Sequence, residues 1–177
     1  MSGSSRPSGS SKSVSTRPRA SSGAATGERI LPRWFIPTAL ALAVIGTLLS
    51  AYLTYEHFTQ NKTLACSASA TVNCAKVTES QWSSFVGIPV ALLGLGFFIV
   101  MVGLCQPRLM RAPGRLWDAV RLTLAGIGLA FALYLVFAEL FHIGAICLWC
   151  TAVHVVTFLL LLTFIFGQLL AQPASRD

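Results

Sequence analysis

The chain of 177 residues holds five cysteines, and four of them fall into two pairs. Cys147 and Cys150 make a C-x-x-C, Cys147-Leu148-Trp149-Cys150. Two thiols one helical turn apart can close a disulfide at modest strain. At a helix start, free N–H groups and a partial positive charge favour thiolate over thiol. The thiolate is the species that attacks a disulfide or a quinone. Cys66 and Cys74 form the second pair, with seven residues between them. Two such pairs permit a relay of electrons if the fold brings them together, although Cys74 and Cys147 are 73 positions apart.

The elements that must position these pairs are apolar. The chain is 54% hydrophobic and only 11% charged, with a mean hydropathy of +0.69. A soluble domain is about a quarter charged, and this one would have too few polar residues to cover itself. The composition excludes a soluble enzyme and a disordered chain, and points to an all-α integral membrane protein. Four uncharged apolar runs predict a four-helix transmembrane bundle, with spans at about 34–55, 85–105, 120–141 and 147–170. Each suffices for a hydrocarbon core of about 30 Å. Residues 1–29 are a different polymer: Ser-rich and basic, with Arg6, Lys12, Arg17 and Arg19. They read as a disordered tail, with an organellar transit peptide as the alternative that the same composition allows. Residues 30–171 form the helical domain, and 172–177 a short second tail.

Charge sets the orientation. Eleven of the thirteen basic residues lie before the first run, between the second and third, or at the C-terminus. The loop from Glu56 to Ser84 has only Lys62 and Lys76, balanced by Glu56 and Glu79. By the positive-inside rule both termini are cytoplasmic, and the arginines report topology rather than nucleic-acid binding. Cys66, Cys74, Cys147 and Cys150 then all face outward, and Cys105 alone lies on the cytoplasmic side. An oxidising outside and a reducing inside fit that partition. Two structural disulfides in a non-enzymatic four-span protein would use the same four residues. A zinc site is disfavoured, because the seven-residue gap does not suit metal-ligand spacing. No metal is expected. Cys105 reads as a small apolar residue at a span end.

As a set, these marks resemble the vitamin K epoxide reductase family, in its bacterial form. Those marks are Cys66 and Cys74, then Ser80 and Trp82, then Gly87-Ile88-Pro89 leading into the second run, then Cys147-x-x-Cys150 opening the fourth. The likeness covers roughly residues 34–170. It implies a quinone (menaquinone, ubiquinone or phylloquinone type) bound among the outward helix ends, and a secreted thioredoxin-fold (DsbA-like) partner. Cys66 would take electrons from that partner, Cys74 would pass them to Cys147, and Cys150 would reduce the quinone. Cys150, His154, Ser80, Trp82 and Phe85 are the expected quinone-site residues. The implied activity is a membrane thiol:quinone oxidoreductase supporting disulfide formation, with vitamin K quinone or epoxide reduction by the same relay as the alternative. Only about seven residues follow the fourth run, so the partner is expected to be a separate protein. The implied location is a bacterial cytoplasmic membrane, with the membrane quinone pool as electron acceptor. The animal enzymes have a tyrosine where this chain has His154, which favours quinone over epoxide as substrate.

Further expectations come from the residues alone. His154 lies four positions after Cys150, on the same helix face; an ionisable residue inside a span is a functional candidate. Glu139 and His142, three apart, are expected to share a face and could hold or relay protons. Val77, Trp82, Phe85 and Val86 follow a roughly helical spacing, which predicts a short amphipathic helix in the outward loop. Gly94, Gly96, Gly126 and Gly128 are expected to let helices approach closely.

Overall fold

Apolar segments that cannot hydrogen-bond to water must satisfy their backbone internally, and this chain does so with helices. The computed structural model describes residues 29–60, 66, 69, 71–111 and 115–173. In chain order the elements are β1 (Arg29–Ile30), α1 (Phe35–Phe58), α2 (Cys74–Thr78), β2 (Ser84–Phe85), β3 (Ile88–Pro89), α3 (Val90–Leu104), α4 (Pro107–Met110), α5 (Arg115–Ala138), α6 (Leu148–Leu169) and β4 (Gln172–Pro173). The expectation for the N-terminal tail lies outside the described residues, except at Arg29. β1 pairs antiparallel with β4, so the segments flanking α1 and α6 meet at one end of the bundle.

Three helical segments are long and apolar enough to cross a membrane: Phe35–Phe58, Arg115–Ile143 and Leu148–Leu169. Large apolar side chains such as Leu48, Ile99, Ile127, Leu133 and Phe158 are exposed on the bundle. A soluble protein would bury such a surface; a bilayer covers it. The chain is a multi-pass membrane protein. α3, with 15 residues, is shorter than its apolar run, about 22 Å at 1.5 Å per residue. The run starts at Phe85, but its first residues turn back instead of continuing the helix. Ser84–Phe85 and Ile88–Pro89 form a two-residue hairpin. Val86 and Gly87 at its tip both have positive φ, 52° and 80°, which is the type I′ combination that matches strand twist. Pro89 then precedes the first helical residue, where its missing N–H breaks no bond.

α1 is the centre of the bundle. It packs against both α3 and α6, and α5 packs against α6. Small residues permit this: Ala39, Ala43, Gly46 and Ser50 form a buried stripe along α1. A Cβ at Gly46 would overlap the Phe98 ring of α3, and one at Gly167 would overlap the Phe35 ring. Of the four glycines expected to pack closely, Gly128 meets Phe97 and Gly94 meets the Ser50 hydroxyl, while Gly96 and Gly126 have nothing within 4 Å. Phe35, Phe98, Met101, Cys105, Leu160 and Phe164 fill the core toward the arginine-rich end.

That end is tied by Arg121, which is only 2% exposed. Its Nε donates to Leu104 O at 3.0 Å and its Nη2 to Leu109 O at 2.7 Å, while Nη1 pairs with Asp118 Oδ1 at 2.9 Å. The sequence treats Arg121 as a topological marker beside the third run. In the structure it is buried, and it binds the connection between α3 and α5 to α5.

α5 does not end regularly. Glu139–Ile143 form a π turn, closed by Gly144 with φ 63°, the left-handed cap that glycine adopts without strain. The widened turn changes the register, so Glu139 and His142 do not share a face. Glu139 is 4% exposed, inside the bundle. His142 is exposed and lies against Trp82, with ring centroids 4.6 Å apart.

The loop between α1 and α3 also differs from the single amphipathic helix expected there. It contains the five-residue helix α2, a bend, a 3-10 turn at Gln81–Ser83 and then the hairpin. The bend has a side-chain cause. Thr78 Oγ1 donates back to Cys74 O at 2.9 Å, and Ser80 Oγ donates to Val77 O at 2.7 Å. Such local bonds compete with continuation of the helix. Phe85 and Val86, taken as part of that helix, sit on the hairpin.

Candidate redox site

The loop carrying the first cysteine pair is pinned to the turn carrying the second. Asn73 N–H donates to Ile146 O at 3.1 Å, and Ile146 N–H donates to Thr71 O at 2.9 Å, a parallel bridge across Val72 and Ile146. Asn73 Oδ1 then accepts the Lys76 N–H at 3.0 Å. This is an N-cap that starts α2 at Cys74. Cys74 is thereby fixed directly beside the residues leading into α6. Cys66 and Cys74 are joined by a disulfide, with Cα atoms 6.1 Å apart.

Cys147 is the N-cap of α6. Its sulfur accepts the Cys150 N–H at 3.2 Å and lies 2.7 Å from the Cys150 sulfur, whose S–H it can also accept. Cys147 stands just ahead of the spanning helix, and its thiol is held below the ordinary value. The main cause is the hydrogen bond from Cys150, which outweighs burial. The Cys147 N–H donates to Glu139 Oε2 at 3.4 Å, so the π turn and the α6 start are linked by a side chain.

The four cysteines form one packed cluster. Cys74 and Cys147 are buried at its centre with Val77 and Ala145, and Cys66, Trp149 and Cys150 pack around them. Cys66 and Cys150 keep partial exposure while Cys74 and Cys147 keep about none, at 1% and 0%. The inner pair of sulfurs thus comes one from each sequence pair. Cys105 is elsewhere, fully buried in the core at the other end.

Below the cluster lies a cavity of about 440 Å³. It exists because α3 and α5 barely touch, leaving space between them that α1 and α6 back. Cys150 and His154 line it from α6, and Leu53 and His57 from α1. Ser80, Trp82 and Phe85 cover it from the loop. All five residues expected at a quinone site therefore line one space. Aromatic contacts close its loop side: Phe85 on Phe131 at 5.6 Å, Phe131 on Tyr134 at 6.0 Å and Trp82 on Tyr134 at 6.1 Å. The walls are apolar, and two buried polar atoms in them lack a hydrogen-bond partner among the described residues. They are Ser50 Oγ and His154 Nδ1.

Sequence reasoning missed Ser50 and His57. A serine inside an apolar run is indistinguishable from the small packing residues around it. The available signal was spacing, since Ser50, Leu53 and His57 recur at helical intervals on one face.

Four cysteines in contact, one beside an apolar cavity inside a helical membrane bundle, define a membrane redox protein. Residues 37–165 match the vitamin K epoxide reductase family, and the chain belongs to that family. Its members are oxidoreductases and are generally quinone-linked.

Proposed function

We propose that this protein is a thiol:quinone oxidoreductase that oxidises the dithiol of a secreted thioredoxin-fold protein. The observation that carries this reading is the order of burial across the four cysteines. Cys66, the accessible member of the loop pair, is the point of attack for a partner. Cys74 and Cys147, packed together, make the internal exchange. Cys150 looks into the cavity.

The steps balance as thiol–disulfide exchange. A partner thiolate attacks Cys66, breaking the Cys66–Cys74 bond and freeing Cys74. The partner's second thiolate displaces Cys66 and leaves with its disulfide closed. Cys74 then attacks Cys147, releasing Cys150, and Cys66 recloses its bond to Cys74. Two electrons now reside on Cys147 and Cys150. The loop pair is joined in one disulfide, and the C-x-x-C sulfurs lie 2.7 Å apart, close enough for that pair to close and open in turn. A quinone supplies the two-electron acceptor that returns the C-x-x-C to its disulfide.

The residues present fit a quinone head group. The cavity is within the usual range for small-molecule sites, about 300–1,000 Å³. Its lining is apolar, as a flat ring requires, and Ser50 Oγ and His154 Nδ1 are buried polar atoms that ring carbonyls would satisfy. Menaquinone, ubiquinone and phylloquinone types all present such carbonyls. Trp82 and Phe85 would exclude water from the loop side. With α3 taken as the fourth crossing, the arginine distribution puts both termini in the cytoplasm and the cysteines at the outer face of the cell membrane.

The test uses the purified protein in detergent with a reduced thioredoxin-fold dithiol protein and a short-chain quinone, followed by quinone absorbance. Quinol should form with the wild type and not with Cys150→Ala. Cys66→Ala should fail with the protein dithiol but keep activity with dithiothreitol, which can reach the C-x-x-C directly. No quinol with any thiol, from folded and oxidised protein, would leave the cysteines as structural disulfides.

A further inference from the structure

Reducing a quinone by a dithiol moves two protons as well as two electrons. Both protons start on Cys147 and Cys150 and must finish on ring oxygens. The space they cross is apolar, and Glu139 is the only carboxyl among the residues lining it. One Glu139 oxygen accepts the Cys147 N–H at 3.4 Å, so the carboxyl touches the cysteine pair and also lines the cavity. It is there because it continues the face of α5 on which Gly128, Ala132 and Leu135 also line the cavity at helical intervals; the π turn that starts at Glu139 leaves His142 exposed against Trp82. Such turns are often found at functional sites.

We infer that Glu139 carries one of these protons: its carboxylate accepts it from the cysteine pair as the disulfide closes and releases it to a quinone oxygen. The other proton passes from the cysteine pair without it. Glu139 ends each cycle unchanged, and electrons, protons and the new S–S bond balance. The inference rests on the quinone reading above. The groups that face Glu139 are His57 from α1, and Cys147, Cys150 and His154 at the start of α6. α2 packs against the π turn and carries Lys76 and Glu79, both exposed. α3 brings no titratable side chain to the cavity.

Glu139→Gln separates this role from a structural one. The amide oxygen can still accept the Cys147 N–H, but the side chain cannot exchange a proton. The expected result is a kcat for quinone reduction about a hundredfold lower, the small end for a lost general acid or base. The KM for quinone should stay within about twofold, since no ground-state contact is removed. Glu139→Asp keeps a proton carrier one methylene further back and should recover part of that rate. A second readout needs no quinone. Infrared difference spectra between the oxidised and reduced C-x-x-C of the full-length protein should show a carboxyl C=O change that disappears in E139Q. Wild-type kcat in E139Q, equal rates for the Gln and Asp variants, or no carboxyl change in the wild-type spectrum would each overturn the inference. If the wild type itself reduces no quinone, it is the parent reading that fails, and this one with it.

Discussion

Ser50→Ala should raise the stability of the ligand-free protein and weaken quinone binding, two effects of opposite sign from one hydroxyl. The Ser50 side chain is 1% exposed, its Oγ has no hydrogen-bond partner among the described residues, and it lines the cavity beside Gly94. A buried unsatisfied hydroxyl costs about 1–3 kcal/mol. Alanine removes that penalty at the loss of only one atom's packing. The ligand-free protein should therefore gain about 1 kcal/mol, a rise in Tm of about 2–4 °C for a chain of this size. With quinone bound, the wild-type hydroxyl has found a carbonyl and the variant has nothing to offer. Binding should weaken by about 1–3 kcal/mol, which is about five- to a hundredfold in Kd. Quenching of the fluorescence of Trp82, which borders the cavity, by a short-chain quinone measures Kd on the oxidised protein, where no turnover occurs. Thermal unfolding in detergent measures the first effect. Thr54→Ala is the control: its hydroxyl donates to Ser50 O at 2.7 Å and does not line the cavity. It should leave Kd unchanged and lower Tm slightly. A Ser50→Ala protein that is less stable, or that binds quinone as the wild type does, would refute the assignment of this cavity to a hydrogen-bonding ring.

Three further outcomes follow from the same geometry. Arg121→Ala leaves the carbonyls of Leu104 and Leu109 buried without their donor and should lower stability by about 2–5 kcal/mol; Arg121→Lys should recover little, because one ammonium cannot span three acceptors. Denaturation in mild detergent checks both. Gly46→Ala forces the Phe98 ring away from α1 and should cost about 1–3 kcal/mol as overpacking, read as a lower Tm. Cys105→Ala should leave quinone reduction unchanged, and in the folded wild type Cys105 should resist a maleimide that labels only after unfolding, because it is fully buried in the core.

Some of the architecture was legible because it follows from composition and period. Apolar runs long enough for a bilayer became helices within a few residues of the expected bounds for α1 and α6. The two cysteine pairs announced redox chemistry by type and spacing. Ser80, Trp82 and Cys150, matched through the family likeness, and Phe85 and His154, read from their own positions, all line one cavity. What was not legible depends on tertiary context. The second run began as a uniform apolar string, yet the hairpin at Ser84–Pro89 took its first residues, with Gly87 supplying a residue that accepts positive φ and Pro89 suiting a helix start. The contact between the cysteine pairs rests on two backbone bonds at Ile146, which no side-chain pattern encodes.

Glu139 shows the limit most sharply. Read at 3.6 residues per turn, Glu139 and His142 belong on one face and form a pair. A π turn has a larger period, and that single change turns His142 onto the surface while Glu139 keeps the cavity face it shares with Leu135 and Ala132. Helical periodicity places a residue only where the helix is regular. The departure beyond Glu139 is where period-based reasoning fails, and such turns are often found at functional sites. In this chain the irregular turn sits at the junction of the cysteine pair and the cavity. If the turn exists to bring the Cys147 N–H onto Glu139, then removing it should matter even with the carboxyl retained. Deleting one residue from Leu140–Ile143 to restore α-helical register should move Glu139 off the Cys147 N–H. The rate of quinone reduction should then fall to the level of E139Q, with helix content by circular dichroism unchanged. A deletion protein that folds and turns over normally would show that the turn serves packing alone.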